Sequence, residues 1–316
     1  MLLALLLGCP PATDAPADKT PDPDDTAIPT VDPATVPLAG VCDLADDYGG
    51  FVVSSEVDAT NVTGTVADGV VPFTVLEEIA AEGDCHVLRR NNPFCDPACD
   101  AGQACDFDGT CVDYPSAQDL GTITLRGLGD PVVMEPVFPG NTYYDTSHGA
   151  GAITAGELLT LSMPGGVYGP LDLYGVGVED LDMTGVVWEV DGGVDLVVTW
   201  PAPTGSLVRS EVAIQLSIDQ HGVTPSVLRC TFEDAGEGTV PGSLVASLVD
   251  VGVTGFPAGT IERRTADRGA AGSGCMDFVV SSPRTVDVDV VGHTPCTDTA
   301  ECPDGQTCDE ELQTCE

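Results

Sequence analysis

The sequence predicts a mostly β chain: an antiparallel β-sandwich body, one sandwich or two, carrying two small disulfide-rich microdomains. Three observations predict it. Apolar and polar residues alternate with a period of two in many short stretches, which buries one face of a strand and wets the other. The 37 glycines and 25 prolines favour turns and short strands over long helices. Most of the 13 cysteines sit in clusters too small to build a core, so crosslinks must hold those segments.

The strands follow in order. Residues 51–53, 62–66, 121–126 and 158–163 read as the first of them. Asp191-Gly192-Gly193 joins residues 186–190 to 194–200 as a hairpin. Over 208–219, Val208, Val212, Ile214, Leu216 and Ile218 share one face, with Arg209, Glu211, Gln215, Ser217 and Asp219 on the other. Residues 227–232 and 276–281 continue the pattern, and Val286, Val288 and Val290 alternate with Asp287 and Asp289. Helix is expected only at 74–81 and at 243–249, after Pro241-Gly242. The expected layout is an N-terminal β unit over 39–115, which includes a cysteine-rich module at 95–111. A β-sandwich over 116–294 and a second cysteine-rich module over 295–316 follow.

Set Cys9 aside and the cysteines fall into even groups. Cys42 and Cys85 flank the first strands. Cys95, Cys99, Cys105 and Cys111 form a quartet, and Cys230 and Cys275 lie in the larger body. Cys296, Cys302, Cys308 and Cys315 close the chain as a second quartet. Even partition is what local pairing predicts, with Cys230 and Cys275 stapling strands or sheets and Cys9 left over. The quartets repeat each other: each contains Gly-Gln-x-Cys-Asp, at Gly102–Asp106 and Gly305–Asp309, and each ends in Thr-Cys. Four cysteines allow three pairings; first-to-third and second-to-fourth is the expectation for both. No Cys-x-x-Cys occurs and the clusters are acidic, which favours disulfides over zinc thiolates. Such usage belongs to an oxidising compartment outside the cytosol.

Met1–Gly8 is apolar and runs into Cys9. Leu6-Leu7-Gly8-Cys9 resembles the bacterial lipobox. That resemblance implies a cleaved signal peptide over 1–9 and a lipid on Cys9, which holds the chain to a membrane. No Lys or Arg precedes the run, which leaves room for a basic leader upstream of Met1. A short secretory peptide with an incidental cysteine is the competing reading. Residues 10–38 are rich in Pro, Asp and Thr without apolar periodicity, the composition of a disordered spacer.

The charge is lopsided: 51 acidic residues against 10 basic ones, a net charge of -41. That repels phosphate backbones and disfavours nucleic acid as a partner. It also keeps an exposed protein hydrated. The chain has no Gly-x-Ser-x-Gly, no His-Glu-x-x-His and no phosphate loop. Its four histidines, His86, His148, His221 and His293, are isolated in sequence. Glu179, Asp180 and Asp182 are acids of the kind a glycosidase pairs across a cleft, although an acidic chain offers many such sets. Calcium is the one cofactor candidate, through Asp106 and Asp108 in Asp-Phe-Asp-Gly; turn formation between disulfides is the commoner use of such residues. Tyr143, Tyr144, Tyr168 and Tyr174 are aromatics that a glycan or peptide could stack on.

The quartets resemble small cysteine-rich modules of exported bacterial and animal extracellular proteins, which implies spacing, capping or partner contact. The stretch Asn92-Pro93-Phe94-Cys95-Asp96-Pro97, with Gly121-Thr122-Ile123-Thr124 and the Trp200 strand, resembles predicted lipoproteins of predatory and soil δ-proteobacteria. That resemblance implies location and build, not chemistry. The function expected is a lipid-anchored protein of the bacterial cell envelope, at the outer membrane or cell surface. It would be non-enzymatic, with a structural role or an extracellular protein or glycan as partner. A secreted hydrolase with a non-standard carboxylate site and a calcium-stabilised adhesin are the alternatives.

Overall fold

The computed structural model describes residues 31–205, 209–218 and 225–316. The signal peptide over 1–9 with Cys9, the spacer as far as residue 30, and His221 lie outside the described residues. The remainder, Asp32–Glu316, forms one compact unit.

The strands in chain order begin with β1 (Asp47–Ser55), β2 (Ala59–Val66), β3 (Leu76–Glu82), β4 (Cys85–Arg90), β5 (Gln103–Cys105), β6 (Cys111–Asp113) and β7 (Ile123–Arg126). They continue with β8 (Val132–Met134), β9 (Tyr143–Gly149), β10 (Leu158–Met163), β11 (Leu171–Val176), β12 (Val187–Val190), β13 (Leu196–Thr199) and β14 (Glu211–Ser217). Next come β15 (Ser226–Glu233), β16 (Glu237–Val240), helix α1 (Gly242–Val249), β17 (Ala258–Ala271), β18 (Gly274–Val290), β19 (Cys308–Asp309) and β20 (Thr314–Cys315).

The spine is the hairpin of β17 and β18, paired from Ala258↔Asp287 to Ala271↔Gly274. It lies inside a ten-stranded sheet ordered β3-β4-β15-β14-β17-β18-β1-β2-β9, with β12 also pairing β18. Both β1 and β12 run parallel to β18, so the sheet is mixed. A four-stranded sheet, β11-β10-β7-β8, and the β13–β16 pair complete the body.

Alternation along the spine feeds two cores. Met276, Phe278 and Val280 join Phe51, Val53, Val62 and Tyr143, and Ile123, Leu125, Leu159, Leu161 and Leu173 of the smaller sheet belong to the same core. Further along β18, Val286, Val288 and Val290 join Ile261, Ile214, Leu216 and Trp188. Leu196, Val198, Trp200 and the apolar face of α1 share that second core. Each fully buried aliphatic or aromatic side chain contributes about 1.5–3 kcal/mol. Two glycines make room for the largest rings. A Cβ on Gly64 would stand 2.1 Å from the Phe51 ring, and one on Gly259 2.5 Å from Trp188. The body is therefore two packed cores on one continuous sheet, mostly β, with disulfide-bonded modules attached.

Several expectations are corrected. The boundary at 115/116 does not separate two β units: β1 pairs with β18 and β4 with β15, so that early strands are built into one sheet with late ones. The spacer does not extend to residue 38 as a free segment, since Val36 is 1% exposed. Asp191–Gly193 does form a turn, Val194 N donating to Asp191 O at 3.0 Å, but its arms do not pair. Strand β12 joins β18 and β13 joins β16, so Trp188 and Trp200 reach one core from different sheets. Residues 74–81 end a 3₁₀ turn (Pro72–Thr74) and then form edge strand β3. Tertiary pairing overrides the helix preference of Glu and Ala there: Glu77 meets Arg89 at 3.2 Å and Glu78 meets His86 at 2.7 Å across the pair.

Candidate functional site

The segment leading into the body is fastened to it along its length. Asp32 Oδ1 accepts from Ala34 N at 2.9 Å, and Asp32 O accepts from Thr35 N and Val36 N, so the chain turns at Pro33. Arg209 Nη1 then donates to the carbonyls of Pro33 (3.0 Å) and Val36 (2.5 Å). Ala39 N donates to Asp267 Oδ1 (3.1 Å), Gly40 N to Ala266 O (3.1 Å) and Cys42 N to Asp277 Oδ1 (2.7 Å). Arg268 Nη1 holds Val41 O at 2.9 Å. Finally Cys42 is bonded to Cys275 at the start of β18. Whatever pulls on the N-terminal segment pulls on the spine.

Burial pushes the Asp277 carboxyl up to about 6, with Asp47 adding repulsion against the lowering effect of Cys42 N–H, Arg264 and Arg268. The folded state therefore holds this proton more tightly than the unfolded chain. The contribution is present below the unfolded value near 3.8 and is lost as pH rises through about 6. Asp277→Asn keeps an oxygen for Cys42 N–H and removes the charge. It is expected to stabilise the protein by about 1 kcal/mol at neutral pH, after discounting the shift for the solvent that reaches the group. The gain should vanish near pH 4. Melting curves of both proteins across that range check this; a pH-independent difference would contradict the assignment.

Between the two cores lies a belt of buried polar groups. Arg263 donates from Nε to Asp234 Oδ2 (2.6 Å) and from Nη2 to Asp234 Oδ1 (3.1 Å), with both side chains essentially unexposed. Its remaining donors reach Glu179 O (3.2 Å) and Pro201 O. Asp234 also accepts from Trp200 Nε1 (2.8 Å) and Ser210 Oγ (2.6 Å). Thr265 Oγ1 exchanges hydrogen bonds with Val176, and Asp267 Oδ2 accepts from Tyr174 N at 3.0 Å. The strand pattern carried a signal for Arg263: it shares parity with Ile261 and Thr265, an inward position. Sequence reasoning missed it, and missed Asp234 as its partner.

A cavity of about 300 Å³ opens beside this belt, lined by Glu157, Glu179, Arg209, Ser210 and Thr265 among others. The backbone N–H of Thr204 at 3.0 Å, joined by the Thr204 hydroxyl and Gly205 N–H, holds the Glu179 carboxyl below its ordinary range. That is the state of an acceptor rather than a proton donor. Asp180 instead accepts from Ser55 Oγ at 2.5 Å and, with Asp182, lines a different hollow. The trio is not gathered into one site.

The cysteines pair as Cys95–Cys105, Cys99–Cys111, Cys296–Cys308 and Cys302–Cys315, first to third and second to fourth in each module. Local pairing fails for the other four. Cys42 bonds Cys275, and Cys85 bonds Cys230, its direct cross-strand neighbour on β15, because the sheet brings distant strands together. Asp106 and Asp108 are occupied by their own turn: Asp106 Oδ1 accepts from Phe107 N (2.7 Å), Asp108 Oδ1 from Thr110 N (2.9 Å) and Thr110 Oγ1 (2.6 Å). Among the described residues, each group of three ligands close enough to share an ion includes disulfide cysteines, and neither aspartate belongs to one. His86 pairs with Glu78, His148 lies 3.6 Å from Asp145, and His293 bonds Gly255 O at 2.8 Å, on separate elements. Tyr143 is a core residue whose hydroxyl accepts from Leu120 N, and Tyr168 donates to Ala67 O; Tyr144 is 57% exposed.

No family model and no curated protein matches the sequence. Among solved structures the chain is similar to the FN1-FN3 domains of chicken CNTN1, at 7% identity and a TM-score of 0.17, covering 71% of this chain and 69% of that one. It is also similar to a Ca2+-stabilized adhesin with which an Antarctic bacterium binds ice, at 12% identity and a TM-score of 0.14, covering 79% and 76%. A 1.5-MDa bacterial ice-binding adhesin gives 12% identity and a TM-score of 0.15, covering 76% and 98%. At these scores the likenesses carry no argument about function.

Proposed function

We propose that this chain is an exported envelope or surface protein, tethered to a membrane by a lipid on Cys9, whose body has a non-enzymatic binding or structural role. It would be a lipoprotein of the δ-proteobacterial type that the sequence resembles. One observation carries the reading: six disulfides hold the described residues together, and one of them bonds the entering segment directly to the central strand. Disulfides persist outside the reducing cell interior. A covalent link at the point of entry suits a body held from its N-terminal side, and the stretch from Cys9 to Asp32 supplies the spacer.

The test is metabolic labelling with palmitate. The wild-type protein is expected to take up label and fractionate with membranes, and Cys9→Ala to lose both. Equal labelling of the two would remove the anchor from the account.

A further inference from the structure

We propose that the cleft between the first cysteine-rich module and the β2–β3 connection is a docking groove. Its occupant would be an extended basic segment of a partner protein that inserts an apolar side chain. This deepens the binding role proposed above and rests on it.

The cleft encloses about 640 Å³, with Val70, Pro72 and Val75 on one side and Phe107, Val112 and Tyr114 on the other. Phe107 is 48% and Tyr114 45% exposed. Tyr114 stands edge-on to Phe73 at 6.3 Å, and Phe73 lies under the Arg90 guanidinium at 5.4 Å. Half-exposed aromatics around a concave apolar floor are what interface anchors use.

The charge around the cleft selects the partner. Asp68, Asp106 and Asp113 line it, and among the described residues no basic one does. Each carboxylate is fixed by hydrogen bonds: Asp68 from Ser116 N (2.7 Å) and Gln118 Nε2 (3.0 Å), Asp113 from Gln103 Nε2 (3.0 Å), Asp106 from Phe107 N (2.7 Å). An apolar anchor flanked by Lys or Arg complements such a rim. A second copy of this chain does not, because two chains of net charge -41 repel.

The internal repeat supplies an independent argument. In the C-terminal module the loop between β19 and β20 is seated on the body, Leu312 O accepting from Gly255 N at 2.8 Å. In the first module the matching loop, between β5 and β6, carries Phe107 and borders the open cleft. One unit, used twice, closes against the body once and leaves a groove once. Two disulfides within residues 95–111 make that wall rigid in advance, which lowers the entropy cost of binding.

The test uses the full chain as Cys9→Ser, so that the anchor plays no part, with three synthetic octapeptides: alternating Lys-Trp, Lys-Ala and Glu-Trp. At physiological salt the Lys-Trp peptide is expected to bind in calorimetry. Its hydrogen-exchange footprint should be confined to residues 68–75 and 103–116. Phe107→Ala with Tyr114→Ala should weaken it about tenfold or more, and both control peptides should bind far more weakly. Val70→Ser serves if that double variant loses its melting transition. No binding, equal binding of Lys-Ala, a footprint spread over the surface, or hydrogen-exchange protection of the same residues without peptide at concentrations where sedimentation shows self-association would overturn the proposal. None of these outcomes bears on palmitate labelling of Cys9, which is read separately.

Discussion

Asp234→Ala is expected to destabilise the protein by about 3–5 kcal/mol, because it leaves the Arg263 guanidinium buried without its counter-charge. The loss is not confined to the pair. Trp200 Nε1 and Ser210 Oγ would be stranded as well, and Arg263 would be left with only the carbonyls of Glu179 and Pro201. Unmade buried hydrogen bonds are what make such sites costly. For a unit of this size the melting temperature should fall by roughly 5–8 °C. Arg263→Met should cost a comparable amount. The double variant Asp234→Ala, Arg263→Met should cost clearly less than the sum of the two, since neither charge is then abandoned. Urea unfolding with disulfides intact measures all three. Single variants within about 1 kcal/mol of wild type would mean that solvent reaches the pair.

The second large effect concerns the bridge between β4 and β15. Cys85→Ala with Cys230→Ala is expected to cost about 4–5 kcal/mol from chain entropy alone. The bond spans 145 residues and lies inside the 233-residue span of Cys42–Cys275. With the outer bond still closed, the inner one limits an already restricted ring, so the loss sits at the lower end of that range. With the outer bond removed as well, the inner bond has more freedom to suppress. Chemical unfolding of the single-bridge and double-bridge variants under oxidising conditions should show that order. Midpoints unchanged by the loss of either bridge would mean that the unfolded chain is already compact.

How far the sequence could be read depended on whether a signal was local. The strands over Leu158–Met163 and Glu211–Ser217 were legible because alternation reports one buried face wherever the partner strand comes from. The quartets were legible because four cysteines within 17 or 20 residues, in segments too short to build a core, pair most readily with one another. The long-range staples were not legible, since even counts in each region fit local pairing as well as the observed crossing. Residues 74–81 misled for a related reason: Leu-Glu-Glu-Ile-Ala-Ala-Glu favours helix on its own, and only pairing with β4 makes it a strand. The turn at Asp191–Gly193 was visible, but a turn does not say whether its arms pair. The docking cleft had no sequence signature, because its two walls come from segments whose approach depends on the fold. Arg263 was the missed opportunity, a charge at an inward-facing position that called for a buried acid.

The nested crosslinks have a consequence for a chain exposed to proteases. Any single backbone cut between Cys42 and Cys275 leaves two fragments that remain joined by at least one bond. A clipped molecule would keep its mass on a gel without reductant and fall into pieces only once thiol is added. Damage of this kind would not shed the body from whatever holds its leading end, and wear over the protein's lifetime could accumulate without loss of material.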